Sequence, residues 1–128
     1  MKALLDTHIL LWAAEDSDRL PPAARALVAD PLNELWFSAA SIWEVQVKTA
    51  LGRPDFQVDA LQLRRRLLAG GARELPINGG HAADLVHLPP IHKDPFDRML
   101  VAQARGEGLT LVTHDEAVAA YGRGILRV

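Results

Sequence analysis

The sequence predicts an α/β domain with a parallel sheet and helices on both faces, and three observations lead there. Short apolar runs alternate with longer helical stretches along the whole chain. Strands separated by helices pair in parallel, because the helix supplies the crossover. No repeat, low-complexity tract or linker interrupts the 128 residues, so residues 1–128 read as one domain.

The elements follow in order. Ala3-Leu4-Leu5 is an apolar run that stops at Asp6 and predicts the first strand. Ile9 to Ala14 predicts a helix. Pro21-Pro22 opens a second one through PPAARALVA, since proline is tolerated in a first turn. Leu35-Trp36-Phe37 is the second strand, and Ala39 to Leu51 is a helix closed by Gly52. Val58 to Ala69 is helical, closed by Gly70-Gly71, with Ala60, Leu61, Leu67 and Leu68 as its apolar stripe. Glu74 to Ile77 is a weak third strand, Gly80 to Val86 a short helix, and Leu88 to His92 a loop held by Pro89-Pro90. Asp94-Pro95 starts a strong helix to about Arg105, ended by Gly106 and Gly108. Leu109 to Val112 is the fourth strand, Glu116 to Tyr121 a short helix stopped by Gly122, and Ile125-Leu126 the last strand.

Composition narrows the function classes. Hydrophobic residues make up 49% and charged residues 23%, the balance of a globular chain and not of a disordered one. With no cysteine there is no disulfide and no thiolate site. No apolar run approaches the roughly 20 residues of a membrane helix, so no membrane partner is expected. Asp6 interrupts the first apolar run and no small-residue cleavage site follows it, so the chain reads as cytoplasmic without a signal peptide. The net charge is −2, whereas a general nucleic-acid binder is strongly basic. Setting four acids aside in a metal site leaves 12 of the 16 against 14 Lys and Arg. Charge balance therefore neither supports nor excludes a nucleic-acid substrate.

Open α/β sheets bind ligands beyond the carboxyl ends of their strands. Asp6 ends the first strand, and Asp115 follows the fourth after His114. Glu44 lies in the first half of the helix after the second strand, and Asp97 in the first turn of the helix opened by Asp94-Pro95. One topology thus brings all four to one edge, where carboxylates repel unless a cation lies between them. Hard oxygen ligands of this kind suit Mg²⁺ or Mn²⁺. Each residue also has an ordinary reading. Asp6 and Asp115 are placed to cap helices, Asp94 is a cap before a first-turn proline, and Glu44 is spaced to pair with Lys48 within its helix. Asp97 heads a stripe of Leu100, Val101 and Ala104, so it faces inward, where a carboxylate needs a partner.

The segments LLDTHILLWA (4–13), SAASIWEVQVK (38–48), HKDPFDRMLVAQA (92–104) and LVTHDEAVAAYG (111–122) resemble the motifs of PIN domains, in order and spacing, across essentially the whole chain. Within that family they are similar to VapC-type toxin ribonucleases of type II toxin–antitoxin pairs. The resemblance implies a five-stranded parallel sheet, Mg²⁺-dependent (with Mn²⁺ as substitute) cleavage of RNA, and an acidic quartet at Asp6, Glu44, Asp97 and Asp115. It also implies a homodimer and a VapB-like antitoxin partner, each with its own apolar surface. Hydrolysis of a phosphodiester needs an in-line water and a leaving 3′-oxygen. Asp6 and Asp97 are the first choice as direct ligands, and Asp115 is a third, direct or through water. Glu44 orients water or completes a second metal.

The surrounding residues carry further expectations. Thr7 and Thr113 flank the site, where ordinary strand-end polarity is the favoured reading and hydrogen bonds that hold the ligands the other. Lys48, Lys93 and Arg98 read as phosphate contacts. Arg64-Arg65-Arg66 spans about 200° of a helix and reads as a solvated face. A zinc site is not expected from the five scattered histidines. Trp36 reads as core, and Trp12, with Ile9 and Leu11, as an exposed apolar surface. Two other function classes compete. One is an aspartyl-phosphate phosphatase using Asp6, disfavoured because Asp6-Thr7-His8 is not DxD. The other is a non-catalytic RNA- or protein-binding module with an acidic pocket. Metal-dependent RNA cleavage separates the nuclease from the latter, and a trapped phospho-enzyme would mark the former.

Overall fold

Three consecutive apolar residues, Ala3, Leu4 and Leu5, suit a strand covered on both faces. The computed structural model, which describes residues 1–128, places them at the centre of the sheet, with Ala3 and Leu4 fully buried and Leu5 nearly so. Strand β1 is Lys2–Leu5, followed by α1 (Thr7–Ala14), α2 (Pro22–Ala29) and β2 (Glu34–Ser38). Helices α3 (Ala39–Ala50) and α4 (Ala60–Ala69) lead to β3 (Arg73–Leu75). Then come α5 (Gly79–Asp84), a 3₁₀ turn at Leu85–His87, α6 (Pro95–Glu107), β4 (Thr110–Thr113), α7 (Glu116–Ala119) and β5 (Ile125–Arg127).

The five strands are all parallel, in the order β3-β2-β1-β4-β5. The chain moves from β1 out to β2 and β3, then returns to β4 on the other side of β1. Connections leaving in opposite directions open a crevice at the carboxyl ends of β1 and β4, the switch point of the sheet. Register divides the core by face. Leu4 pairs with Leu111, and both pack with Leu100, Val101 and Ala104 of α6. Leu5 pairs with Val112, and with Ala3 and Phe37 they pack against Ile9 and Leu10 of α1 and Ala24 and Leu27 of α2. Alternation along each strand sends successive side chains to opposite layers. No helix is long and apolar enough to cross a membrane.

Several boundaries differ from the sequence reading for physical reasons. Helix α4 turns Ala60, Leu63 and half-buried Leu67 inward, leaving Leu61 and Leu68 exposed. Positions i, i+3 and i+7 share a face, whereas Leu61 lies about 100° from Ala60. Helix α6 runs through Gly106 to Glu107, and only Gly108, at φ +67°, adopts the left-handed cap that ends it. Strand β3 stops at Leu75 because Pro76 has no N–H to continue the ladder. The segment after Gly79 tightens from α to 3₁₀ geometry at Leu85.

Candidate active site

Asp6 is the first residue beyond β1, and its backbone N–H donates to the Val112 carbonyl at 2.9 Å. That bond fixes it between the two strands of the switch point. Its Oδ1 accepts from the Thr7 N–H at 2.7 Å, which caps α1, and its Oδ2 accepts from Thr113 Oγ1 at 2.6 Å. Thr113 Oγ1 in turn accepts from the Asp115 N–H at 3.0 Å. One hydroxyl therefore joins the ends of β1 and β4. Burial pushes the Asp6 carboxyl above the usual carboxylate range, outweighing the Thr113 and Thr7 hydrogen bonds that lower it.

Glu44 is 2% exposed, one turn into α3. Its Oε1 accepts from Thr7 Oγ1 at 2.7 Å, and its Oε2 is paired with Lys48 Nζ at 2.5 Å. The intrahelical pair read from the sequence is present, and it is half of a larger arrangement. Ser41 Oγ lies 2.9 Å from Thr7 Oγ1, so α1 and α3 are tied at the carboxylate edge. Burial lowers the Lys48 ammonium pKa, but the hydrogen bond and charge of Glu44, with the charges of Asp94 and Asp97, raise it above its usual value. Of the two readings of Thr7 and Thr113, the less favoured one is observed: their hydroxyls hold the carboxylates of Glu44 and Asp6.

Asp97 is buried in the first turn of α6, as its place above Leu100 and Val101 requires. Burial first, then the charges of Asp6, Asp94 and Glu44, lift its carboxyl to about 7, against a His92 hydrogen bond that lowers it. Like charges held together in a partly desolvated place have this effect. Asp94 Oδ1 accepts from the N–H groups of Phe96 (2.8 Å) and Asp97 (3.2 Å), the cap geometry expected of Asp before proline.

Three of the four predicted acids, Asp6, Glu44 and Asp97, thus lie close enough to act on one another's charge. Asp115 stands at the rim. It is exposed, its Oδ1 caps α7 through the Ala117 N–H at 2.8 Å, and it shares a cleft with Asp6. The tightest group of metal-ligand atoms is His92, Asp94 and Asp97, within 4.8 Å of one another. His92 Nε2 is 2.8 Å from Asp97 Oδ2. The sequence reading missed His92 as a site residue. Its signal was the spacing His92-x-Asp94-x-x-Asp97, in which the loop and the first helical turn share one locus. The donor set is oxygen with one imidazole and no thiolate, and Lys48 is the one ammonium set against its charge. Such a set fits a hard divalent cation.

The basic residues divide differently from expectation. Arg98 is a clamp, its guanidinium donating to the carbonyls of Pro89 and Leu88 and to Tyr121 Oη, so it holds the loop that carries His92. Lys48 is engaged with Glu44, and Lys93 remains exposed. Arg64 pairs with Glu74 through two nitrogens, while Arg65 and Arg66 are exposed, as a solvated face requires. Trp36 packs against the core, as expected, but is only half-buried, with Nε1 donating to Glu34 and the Arg73 guanidinium 5.8 Å from its ring. Trp12 is partly buried against the α1 side of the core, so Ile9, Leu11 and Trp12 form no exposed apolar surface. The exposed indole is Trp43, 60% accessible and edge-on to Phe96 at 5.0 Å.

Comparison with known proteins adds to this geometry. The PIN domain family model matches residues 3–124. The chain is 30% identical over 119 residues to Ribonuclease VapC22 of Mycobacterium tuberculosis, covering 92% of this chain and 90% of that protein. A toxin–antitoxin complex from Klebsiella pneumoniae superposes with TM-score 0.64 at 25% identity, over 97% of this chain and 95% of the other. VapBC2 from Rickettsia felis, bound to a DNA fragment from its promoter, superposes with TM-score 0.68 at 15% identity, over 100% and 98% of the two chains. At that identity the likeness is one of fold.

Proposed function

The chain belongs to the PIN domain family and is of the VapC type, and from that premise we propose that it is the toxin of a type II toxin–antitoxin pair, a Mg²⁺-dependent endoribonuclease acting at Asp6, Glu44, Asp97 and Asp115. The observation that carries the proposal is the convergence of buried Asp6, Glu44 and Asp97 at the switch point, with Asp97 lifted to about 7 by burial and by its neighbours' charge. Protein that gathers carboxylates at such a cost gains their stability back when a cation binds. PIN-domain nucleases are metal-dependent, and the oxygen-rich set favours Mg²⁺, with Mn²⁺ as substitute.

Asp6 and Asp97 would hold the cation directly, and Asp115 would add a third ligand from the rim, direct or through water. The chemistry such a cation would supply is activation of a water for attack on the phosphorus and stabilisation of charge on the leaving 3′-oxygen. The remaining work belongs to the protein. Thr113 and the Thr7 N–H fix both oxygens of Asp6, so its free lone pairs keep one direction. Thr7 and Lys48 hold Glu44 by its two oxygens, placing a buried carboxylate to orient water at the site. His92 steadies Asp97 through Nε2, and Asp94 holds the first turn of α6 that presents it.

The substrate is RNA, and residues 1–128 act as one nuclease domain. The partner is a VapB-like antitoxin that sets a Lys or Arg on the acidic edge and docks an amphipathic helix. The toxin pairs as a homodimer and works in the cytoplasm. The test is incubation of purified protein with total RNA, with Mg²⁺ or with a chelator, followed by mapping of cut ends. Discrete cleavage in Mg²⁺ alone is expected, and intact RNA in both tubes defeats the proposal. Expression without the antitoxin should arrest growth, whereas the quartet variants should not.

A further inference from the structure

A cleft of 270 Å³ adjoins the carboxylates, lined by Asp6, His8, Trp12, Arg19, His114 and Asp115. Trp12 is the one apolar member. Its indole stands near two imidazoles, His8 at 5.7 Å between centroids and tilted 33°, and His114 at 6.0 Å and nearly edge-on at 69°. His8 and Trp12 lie four positions apart on α1, so the helix puts them on one face. His114 comes from the turn after β4, and its Nδ1 donates to the main-chain oxygen of Val128 at 2.6 Å. That bond fixes the ring and leaves Nε2 for another partner. His8, Arg19 and His114 are exposed, and the Arg19 guanidinium enters no ion pair.

An apolar helix would meet a single apolar side chain here, and would leave a guanidinium and two imidazoles without water. A nucleotide meets what it needs. A base has a π-face for Trp12, and its phosphate has the Arg19 guanidinium. The volume falls just under the roughly 300–1,000 Å³ of small-molecule sites, enough for one nucleotide and too little for a folded segment. Asp6 and Asp115 belong to both the cleft and the carboxylate site, so a nucleotide held here has its next phosphodiester beside the acids.

We propose that this cleft is a nucleotide subsite of the substrate: Trp12 stacks a base of single-stranded RNA next to the scissile phosphate, and Arg19 takes that nucleotide's own phosphate. The proposal rests on the nuclease reading and deepens it. Stacking on one ring tolerates any base, so the subsite contributes affinity and register rather than sequence choice.

The test uses the full chain carrying Asp97→Asn, in Mg²⁺, and follows fluorescence anisotropy of two labelled probes. One is a short single-stranded RNA of mixed sequence, and the other is an abasic phosphodiester oligomer of equal length. Adding Trp12→Ala should weaken RNA binding about tenfold, the scale of one lost base–aromatic stack. The same change should leave the abasic oligomer's affinity unchanged, and Trp12→Phe should retain most of the RNA affinity. Arg19→Ala should lower the slope of log affinity against log salt by about one for both probes. Should Trp12→Ala fail to fold, Trp12→Leu, which keeps an apolar side chain and removes the π-face, decides the matter with a several-fold loss on RNA and none on the abasic oligomer. Equal losses on both probes, or RNA affinity unchanged by Trp12 replacement, overturns the subsite. A parent that cuts RNA while its Trp12 variants bind normally removes the subsite alone. A parent that neither binds nor cuts RNA removes the nuclease reading with it. Loss of antitoxin binding without loss of RNA binding gives the cleft to a protein partner and overturns the proposal.

Discussion

Asp97 is destabilised in its ionised form first by burial and then by the charges of Asp6, Asp94 and Glu44. Its carboxyl titrates at about 7 in the folded protein and at 3.8 in the unfolded chain. Below pH 4 both states are protonated and the site costs nothing. Between pH 4 and 7 the unfolded chain releases the proton and the folded one keeps it, so stability falls as pH rises. Above 7 both are ionised and the full cost is present. The stability of the metal-free parent, measured relative to Asp97→Asn, should therefore fall from pH 4 to pH 7 in denaturant titrations. A difference that stays level or rises over that range contradicts the account. Asp94→Asn is a control, since Asn caps as well as Asp and activity should fall far less than in Asp97→Asn. Thr113→Val removes the hydrogen bond on Asp6 inside a fully buried position. It should cost about 1.5–3 kcal/mol in urea melts and weaken metal binding about 10–100-fold. The position of the acids near one edge was legible because Asp6 and Asp115 follow strands, Asp97 lies in the first turn of a helix, and Glu44 lies in the first half of the helix after the second strand. The threonines were legible as neighbours of the site but not their partners, which lie 37 and 107 positions away and are marked by no local pattern. Capping does not take a carboxylate out of the site: Asp6 caps α1 with Oδ1 and accepts from Thr113 with Oδ2, and Asp115 caps α7 with Oδ1 alone, while both line the same cleft.

Helix α6 shows how local chemistry and packing divide the work of an element. Its start was legible, because Asp94-Pro95 is cap and first turn in two residues. Its end was not, because two glycines compete and only the backbone angles separate them. Gly108 sits at φ +67°, so Gly108→Ala should cost about 1–2 kcal/mol. Gly106 is inside the helix, and an added methyl would make ordinary contacts with Asp84 and His81 at 3.7 and 3.8 Å. Gly106→Ala should therefore stabilise by about 0.5–1 kcal/mol. Opposite signs in thermal melts support the assignment, and equal signs contradict it. Helix α4 gives the same lesson for periodicity. Leu61 and Leu68 are as apolar as Leu63, and only the neighbouring Leu11 and Val45 decide which leucine turns inward.

At the scale of the whole molecule, four segments spread from Asp6 to Asp115 close one edge of the sheet. The alternation of strands and helices made the fold class legible, while the order β3-β2-β1-β4-β5 depends on pairings that no local run encodes. A cation that binds this edge only when it is assembled stabilises the whole fold by mass action. Mg²⁺ at 100 times its dissociation constant should add about 2.7 kcal/mol, seen as a rise in Tm. Asp6→Ala should lose most of that rise, and equal rises in both proteins would place the cation elsewhere. The most direct measurement is the rate of RNA cleavage as Mg²⁺ is titrated, for the parent and for Asp97→Asn on the same RNA. The account predicts saturable, Mg²⁺-dependent cleavage by the parent and none by the variant. Cleavage that persists in a chelator, or proceeds at the parental rate in Asp97→Asn, would contradict it.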